Sequence, residues 1–162
     1  MSPAVRVREL LEVAGGTLST AESLTGGQLA ARLTAVPGVS GVYVGGAVTY
    51  WTSFKESLLG VPAELVEEFG VVSAECAEAM ARGIRGIAGS TYALSTTGVA
   101  GPDRQEDKAV GTVFVGLAGP GPAQSRAVRL TLDGDRADIQ AQTCGAALAL
   151  LLDELLARSS RE

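Results

Sequence analysis

Apolar residues recur at helical spacing near the start of the chain, within residues 5–15 and again at Leu29, Leu33 and Val36. This spacing predicts two amphipathic helices. Residues 17–21 between them are short and β-prone, which predicts a strand. A strand followed by a tight turn and a helix is typical of the junctions at which α/β proteins bind ligands, because free N–H groups and the positive end of the helix dipole point outward there.

The alternation of strand and helix patterns continues to the end of the chain. We predict strands at residues 41–51, 91–95, 110–118 and 126–132, and helices at residues 53–59, 62–69, 73–89 and 133–156. The last two strands are predicted to form an antiparallel hairpin, because the first is almost wholly apolar and the second alternates. Interspersed strands and helices without a repeat predict the α/β class, with a mixed sheet covered by helices on both faces.

One domain is predicted over residues 1–162, with a core of about residues 5–156 and a frayed tail at residues 157–162. Glycine and proline punctuate a predicted loop at residues 96–108, and the glycine pair 45–46 predicts a bulge in its strand. The apolar last helix fits either burial in this domain or contact between copies in a homo-oligomer.

Charge and hydropathy narrow the classes of function. The formal net charge is -5 and the basic residues form no dense run, which argues against nucleic acid as a partner. No apolar run approaches the length of a bilayer span, and Arg6, Arg8 and Glu12 interrupt the apolar residues of the N-terminus. We therefore expect a cytoplasmic protein without a membrane partner.

The chain contains no histidine. This excludes Ser-His-Asp and Cys-His catalysis and the common zinc sites. Cys76 and Cys144 lie within helical patterns, where a cysteine is more often a small buried hydrophobic residue than a ligand or half of a disulfide. A hydrolase of this composition would need Lys, Tyr, Asp or Glu as its base.

Polar residues and glycines gather at predicted strand ends and helix starts. Ser23 lies in the strand–turn–helix junction, which resembles a nucleophile elbow without the G-x-S-x-G sequence, and nearby N–H groups could form an oxyanion hole. Ser23 and Thr25 could equally be helix caps. Lys55 or Tyr50 is a chemically sensible base, since a desolvated lysine can be neutral near pH 7, but a surface lysine is the simpler interpretation of Lys55.

Arg136 follows Asp135, a plausible N-cap, and so lies in a first helical turn. The helix dipole disfavours a cation at that end. Such an arginine either pairs with an acid or joins the free N–H groups in binding an anion, and both interpretations stay open at this point.

Eight segments together resemble the C-terminal domain of the competence/damage-inducible protein CinA, a family that includes stand-alone nicotinamide mononucleotide (NMN) amidohydrolases. They are Thr20–Gly27, Val36–Gly38, Val48–Tyr50 with Lys55, Leu59–Val61, Gly70–Ser73, Thr97–Asp103, Val110–Thr112 and Gly134–Arg136. They occur in family order. The resemblance implies a three-layer α/β/α fold and hydrolysis of the NMN carboxamide to nicotinate mononucleotide and ammonia, without a metal or other cofactor.

The resemblance also implies roles for individual residues. Ser23 would be the nucleophile, Lys55 its base, and Tyr50 a positioning or assisting residue. The implied substrate-binding residues are Glu22, Thr25, Gly26, Gly27, Thr97, Gly98, Gly101 and Arg136. Within this set, Thr97 and the glycines of its loop would line the pocket, while Arg136 and the helix start at Gly26–Gly27 would hold the 5′-phosphate.

The chain departs from the family pattern at three places. Gln140 stands where the family usually has an arginine, the loop 103–108 lacks the common Gly-Gly after its aspartate, and Ala109 replaces a proline. These departures motivate an alternative: a non-catalytic nucleotide-binding or regulatory module linked to the competence or DNA-damage response.

Overall fold

The computed structural model describes residues 1–161, within which five strands form one mixed sheet. The strands are β1 (Leu18–Glu22), β2 (Tyr43–Val48), β3 (Tyr92–Gly98), β4 (Thr112–Ala118) and β5 (Arg126–Thr131). Their order is β2-β1-β3-β4-β5. The first three strands are parallel, and β3, β4 and β5 pair antiparallel. The carboxyl ends of the three parallel strands therefore meet at one edge of the sheet.

Helices cover both faces of this sheet. They are α1 (Pro3–Ala14), α2 (Gln28–Thr34), α3 (Thr52–Leu59), α4 (Ala63–Phe69), α5 (Ala74–Ala88) and α6 (Arg136–Ser159). Helices α1, α2 and α6 pack on one face, and α3, α4 and α5 lie on the other, with α5 in direct contact with the sheet. The predicted three-layer α/β/α fold with a mixed sheet is confirmed.

Two hydrophobic cores hold the three layers together. Leu94 belongs to the core beneath α1, α2 and α6, and its neighbour Ala93 to the core beneath α5, because successive side chains of a strand point to opposite faces. The central strands β3 and β4 are buried along nearly their whole length. The edge strand β5 is half exposed, as its alternating sequence predicts.

Several local predictions are confirmed and others are corrected. The helix predicted at residues 73–89 is α5, and Ser73 at its start is the N-cap, which accepts a hydrogen bond from the Cys76 amide. The bulge in β2 lies at Val44, where the pairing with β1 shifts register just before Gly45. Strand β3 runs on to Gly98, into the predicted loop, because its last residues pair with β4 although two of them are threonines.

The last helix is longer than expected. Helix α6 continues to Ser159, so the predicted frayed tail is wrong for residues 157–159, and Glu162 lies outside the described residues. By length and composition alone, α6 could cross a membrane, contrary to the expectation that no apolar segment approaches the length of a bilayer span. Its residues Ile139 and Leu151 are completely buried in the core, so burial in this fold accounts for the apolar face on which they lie, while 39% of the candidate span as a whole is buried.

Gly83 allows α5 to pack directly on α3. A Cβ atom at Gly83 would lie 2.0 Å from the carbonyl oxygen of Leu59 at the end of α3. Alanine there must push the two helices apart, at a cost of about 1–3 kcal/mol. We therefore expect Gly83→Ala to lower the free energy of unfolding measured in urea.

Gly86 in the same helix provides a matched control. A Cβ atom at Gly86 would have no neighbour within 4 Å, so Gly86→Ala should raise the free energy of unfolding by about 0.5–1 kcal/mol through helix propensity. Equal effects of the two substitutions would contradict the close approach of α3 and α5.

Candidate active site

A cavity of about 480 Å³ opens at the carboxyl ends of the parallel strands, within the usual size range of small-molecule sites. Its lining comes from the turn after β1, the start of α3, the segment before α5, the loop after β3 and the start of α6. Ser23, Lys55, Thr97 and Arg136, which are far apart in sequence, all line it.

Lys55 is buried against Ser23. Its side chain reaches inward from α3, the residue is only 1% exposed, and its Nζ lies 3.0 Å from Ser23 Oγ. The same Nζ donates hydrogen bonds to the backbone carbonyls of Thr49 at 2.6 Å and Tyr50 at 3.3 Å. The interpretation of Lys55 as a surface lysine is therefore wrong.

The surroundings of Lys55 favour its neutral form. Burial lowers its pKa from the ordinary 10.5, although Cys76 and Glu106 nearby act in the opposite direction. A neutral amine has two N–H bonds and one lone pair. The two carbonyl oxygens can take both N–H bonds, which leaves the lone pair facing the hydroxyl of Ser23. This arrangement is suited to removing a proton from Ser23.

The turn after β1 fixes the position of Ser23. The Ser23 amide donates to the carbonyl of Thr96 at 3.0 Å, and the Leu24 carbonyl accepts from the Gln140 side chain at 2.9 Å. The amides of Leu24 and Thr25 donate no hydrogen bond to any described residue. Free N–H groups just after a nucleophile are the usual donors of an oxyanion hole.

Glu22 caps α2, which corrects two expectations for this turn. Helix α2 begins at Gln28, so neither Ser23 nor Thr25 caps it. The buried Glu22 carboxylate instead accepts hydrogen bonds from the amides of Leu29 at 2.8 Å and Ala30 at 3.1 Å, and from the Thr25 hydroxyl at 2.6 Å. The side chains of Glu22 and Thr25 are thus hydrogen-bonded to each other and to the start of α2, and they do not line the cavity.

The predicted phosphate site at the start of α2 is not supported either. The amides of Leu29 and Ala30 already bind the Glu22 carboxylate, and those of Gly26 and Gln28 donate to backbone carbonyls of the same turn. Gly26 and Gly27 also lie outside the cavity lining, and both have left-handed backbone conformations, with φ of 55° and 101°. Glycine adopts such conformations without a steric penalty, so the pair makes the turn that presents Ser23.

Tyr50 and Arg136 meet at the rim of the cavity. The guanidinium of Arg136 donates to the phenolic oxygen of Tyr50 at 2.8 Å and to the Gly101 carbonyl at 2.7 Å. Tyr50 reaches Lys55 only through its backbone carbonyl, so its hydroxyl is not the base for Ser23. Arg136 is exposed and forms no ion pair with a described acid, which leaves its charge available to an anion.

The loop after β3 forms the opposite wall. Thr97, Gly98 and Gly101 line the cavity as expected, and the Thr97 hydroxyl donates to the carbonyl of Val71 at 2.7 Å. The carboxylate of Glu106, farther along this loop, accepts from the amides of Val71 at 2.9 Å and its neighbour at 3.2 Å. These bonds hold the loop against the segment that precedes α5.

Sequence reasoning missed three residues of this region. Trp51 and Arg104 line the cavity, and Glu106 anchors its loop. Arg104 and Glu106 lie in the loop predicted at residues 96–108, where nothing in the local pattern distinguishes them. The lone tryptophan immediately before the helix that carries Lys55 is a usable signal. Among the described residues, no three His, Cys, Asp or Glu side chains gather as metal ligands would.

Comparison with known proteins identifies relatives of the whole fold. The model of the CinA C-terminal domain family matches residues 2–155. A CinA-like protein of Frankia casuarinae is 51% identical over 142 residues, which cover 88% of this chain and 32% of that protein. A CinA-like protein of Geotalea daltonii is 50% identical over 153 residues, 94% of this chain and 37% of that protein. The chain thus spans about a third of these relatives.

Solved structures match over more than nine-tenths of their own length. A competence-damaged protein (CinA) superfamily protein from Klebsiella pneumoniae superposes with a TM-score of 0.91 at 35% identity, covering 95% of this chain and 96% of that chain. The competence/damage inducible protein CihA from Agrobacterium tumefaciens has a TM-score of 0.87 at 33% identity, covering 93% of this chain and 92% of that one.

The capping role of Glu22 can be tested by its amide variant. In Glu22→Gln, the NH₂ group would face N–H donors that now bind a carboxylate, so we expect the free energy of unfolding in urea to fall by about 1.5–3 kcal/mol. The exposed Glu67 on α4 provides the control, because Glu67→Gln should change stability by less than about 0.5 kcal/mol. Equal stability of the two variants would contradict the capping role.

Proposed function

Since the chain belongs to the CinA C-terminal domain family, we propose that it hydrolyses the carboxamide of NMN to nicotinate mononucleotide and ammonia. The observation that carries this proposal is the buried Lys55 whose Nζ lies 3.0 Å from Ser23 Oγ. A serine activated by a desolvated lysine is an established way to cleave an amide without histidine.

In the first half of the proposed reaction, Ser23 Oγ attacks the carboxamide carbon while Lys55 Nζ accepts the hydroxyl proton. The carbonyl oxygen becomes an oxyanion, and the free amide of Leu24, which lines the cavity, supplies a hydrogen bond to it. Protonated Lys55 then passes its proton to the departing nitrogen. Ammonia leaves, and the nicotinoyl group stays on Ser23 as an ester.

In the second half, water hydrolyses this ester. Lys55, neutral again, accepts a proton from the attacking water, and a tetrahedral intermediate forms at the same carbon. The bond to Ser23 Oγ then breaks, and the serine oxygen takes the proton from Lys55. The product forms as a carboxylic acid, loses its proton to solvent and is released as nicotinate mononucleotide, and the enzyme returns to its starting state.

The rim residues suggest how the rest of NMN is held. Arg136 carries an exposed, unpaired positive charge fixed by Tyr50 and Gly101, which suits the 5′-phosphate. Arg104 lines the same cavity and is exposed as well. In this proposal Tyr50 positions Arg136 through its hydroxyl and Lys55 through its carbonyl.

Removing either member of the Ser23–Lys55 pair should abolish turnover. We expect Ser23→Ala and Lys55→Met to lower kcat for ammonia release from NMN by at least about 10³-fold, since nucleophile and base act as one unit. Lys55→Arg should be equally inactive, because a guanidinium does not lose its proton in this range. Ammonia release measured with a coupled assay provides the test.

Ser57→Ala is the matched control, since this serine lies exposed on the same helix as Lys55, and it should retain wild-type activity. Full activity in folded Ser23→Ala would contradict the mechanism. Saturable NMN binding by wild type in calorimetry, with no ammonia formed, would instead indicate the non-catalytic nucleotide-binding module.

Activity should rise with pH as Lys55 loses its proton. The lowered pKa of Lys55 places this rise below the ordinary 10.5 of lysine, with a plateau of kcat/KM at higher pH where the amine is neutral. Lys55 and Lys108 are the only two lysines, so NMR of ¹³C-lysine-labelled protein can follow the Lys55 signal directly, assigned by its loss in Lys55→Arg.

The midpoint of the NMR titration should match the midpoint of the kcat/KM profile. A Lys55 signal that titrates at or above 10.5 would contradict the role of a neutral lysine, and so would activity that falls as pH rises toward that value.

A further inference from the structure

Trp51 is the single tryptophan of the chain, and it is 76% exposed at the mouth of the cavity that contains Ser23 and Lys55. An indole is a large, mostly apolar group, and an indole exposed to water does not contribute the favourable free energy of folding that its burial would give. Packing within this chain therefore does not explain why tryptophan occupies this position.

Helix capping does not explain it either. Trp51 is the N-cap residue of α3 and makes no side-chain capping hydrogen bond. Serine, threonine, aspartate and asparagine are favoured at this position because their side chains bind the free amides of the first turn. The position therefore lacks a helix cap and carries an exposed aromatic ring instead.

The backbone places Trp51 one helical turn from Lys55. The Trp51 carbonyl accepts the hydrogen bond from the Lys55 amide at 3.1 Å. Trp51 also lines the same cavity as Ser23 and Lys55. A pyridinium ring whose carboxamide carbon contacts Ser23 Oγ must lie in this cavity, which Trp51 borders.

We propose that Trp51 stacks on the pyridinium ring of the substrate, an inference that rests on the proposed function. The pyridinium ring of NMN carries a positive charge, whereas the ring of free nicotinamide is neutral. Cations are attracted to the face of an indole more strongly than to any other aromatic side chain. Trp51 therefore makes the site selective for N-ribosylated, cationic nicotinamides over neutral aromatic amides.

The fluorescence of the lone tryptophan reports this contact directly. In Ser23→Ala, which binds without turnover, NMN should quench the emission saturably, with a midpoint equal to the Kd from calorimetry. Nicotinamide at the same concentrations should quench the emission far less. With free N-acetyltryptophanamide in place of the protein, quenching by NMN should be collisional only, rising linearly with NMN concentration without saturation. Unchanged emission at NMN concentrations that saturate the calorimetric signal would overturn the proposal.

Kinetics of variants provide a second test. Trp51→Ala should raise KM for NMN about tenfold and leave kcat within about twofold, because the ring contributes to binding rather than to proton transfer. Trp51→Phe should show a smaller rise. Phe54 is a matched control, since it is 45% exposed on the same helix and does not line the cavity.

Phe54→Ala should keep the wild-type KM. A KM unchanged in Trp51→Ala, or raised equally in Phe54→Ala, would overturn the proposal.

The alternative occupant of this surface is a second copy of the chain, because Trp51 and Phe54 also belong to an exposed apolar patch with Val48 and Tyr50. A blue shift of the emission with rising protein concentration, without ligand, would show that a copy covers Trp51 and would overturn the stacking proposal.

The experiments separate this inference from the proposed function. Saturable quenching by NMN without ammonia release from wild type would support stacking and refute the hydrolase. Ammonia release with a KM that Trp51→Ala does not change would support the hydrolase and refute stacking.

Discussion

The site depends on burying an amine beside a serine. Lys55 is nearly inaccessible to solvent and has no ion pair with a described acid, only the Ser23 hydroxyl and two backbone carbonyls as hydrogen-bond partners. A buried charge with such partners is unfavourable, and the cost is relieved when the amine loses its proton. The contacts that hold α3 against α5, including the close approach at Gly83, therefore maintain the burial that lowers the pKa of Lys55.

Two acids fix the backbone around Ser23 and Lys55, although neither acid lines the cavity. Glu22 binds the first amides of α2 and so fixes the turn after β1. This turn keeps Ser23 at the carboxyl ends of the parallel strands. Glu106 holds the loop after β3 against the segment before α5. Both carboxylates bind main-chain amides, so each fixes a loop whose neighbouring residues line the cavity. The polar residues of this region thus divide into those that hold the surrounding backbone in place and those that face the cavity.

Local sequence patterns predicted the layers because they report burial directly. Periodicity located the strands and helices to within a few residues, and Ser73 and Gly89 marked the ends of α5 correctly. Errors occurred where tertiary pairing overrides local composition: Thr96 and Thr97 looked like loop residues, yet they pair with β4. For the same reason the start of α2 was misplaced, since its cap is a glutamate six residues before the helix.

The sequence by itself determined the layered α/β fold and the family. Because it contains no histidine, it also indicated lysine as a candidate base. Only the tertiary structure decided the short distance between Lys55 Nζ and Ser23 Oγ. It also decided that Glu22 caps a helix and does not line the cavity, and that Trp51 does line it. The physical reason is that periodicity records which side of an element is buried. Distances between side chains on separate elements depend on how those elements pack, and no local pattern contains that information.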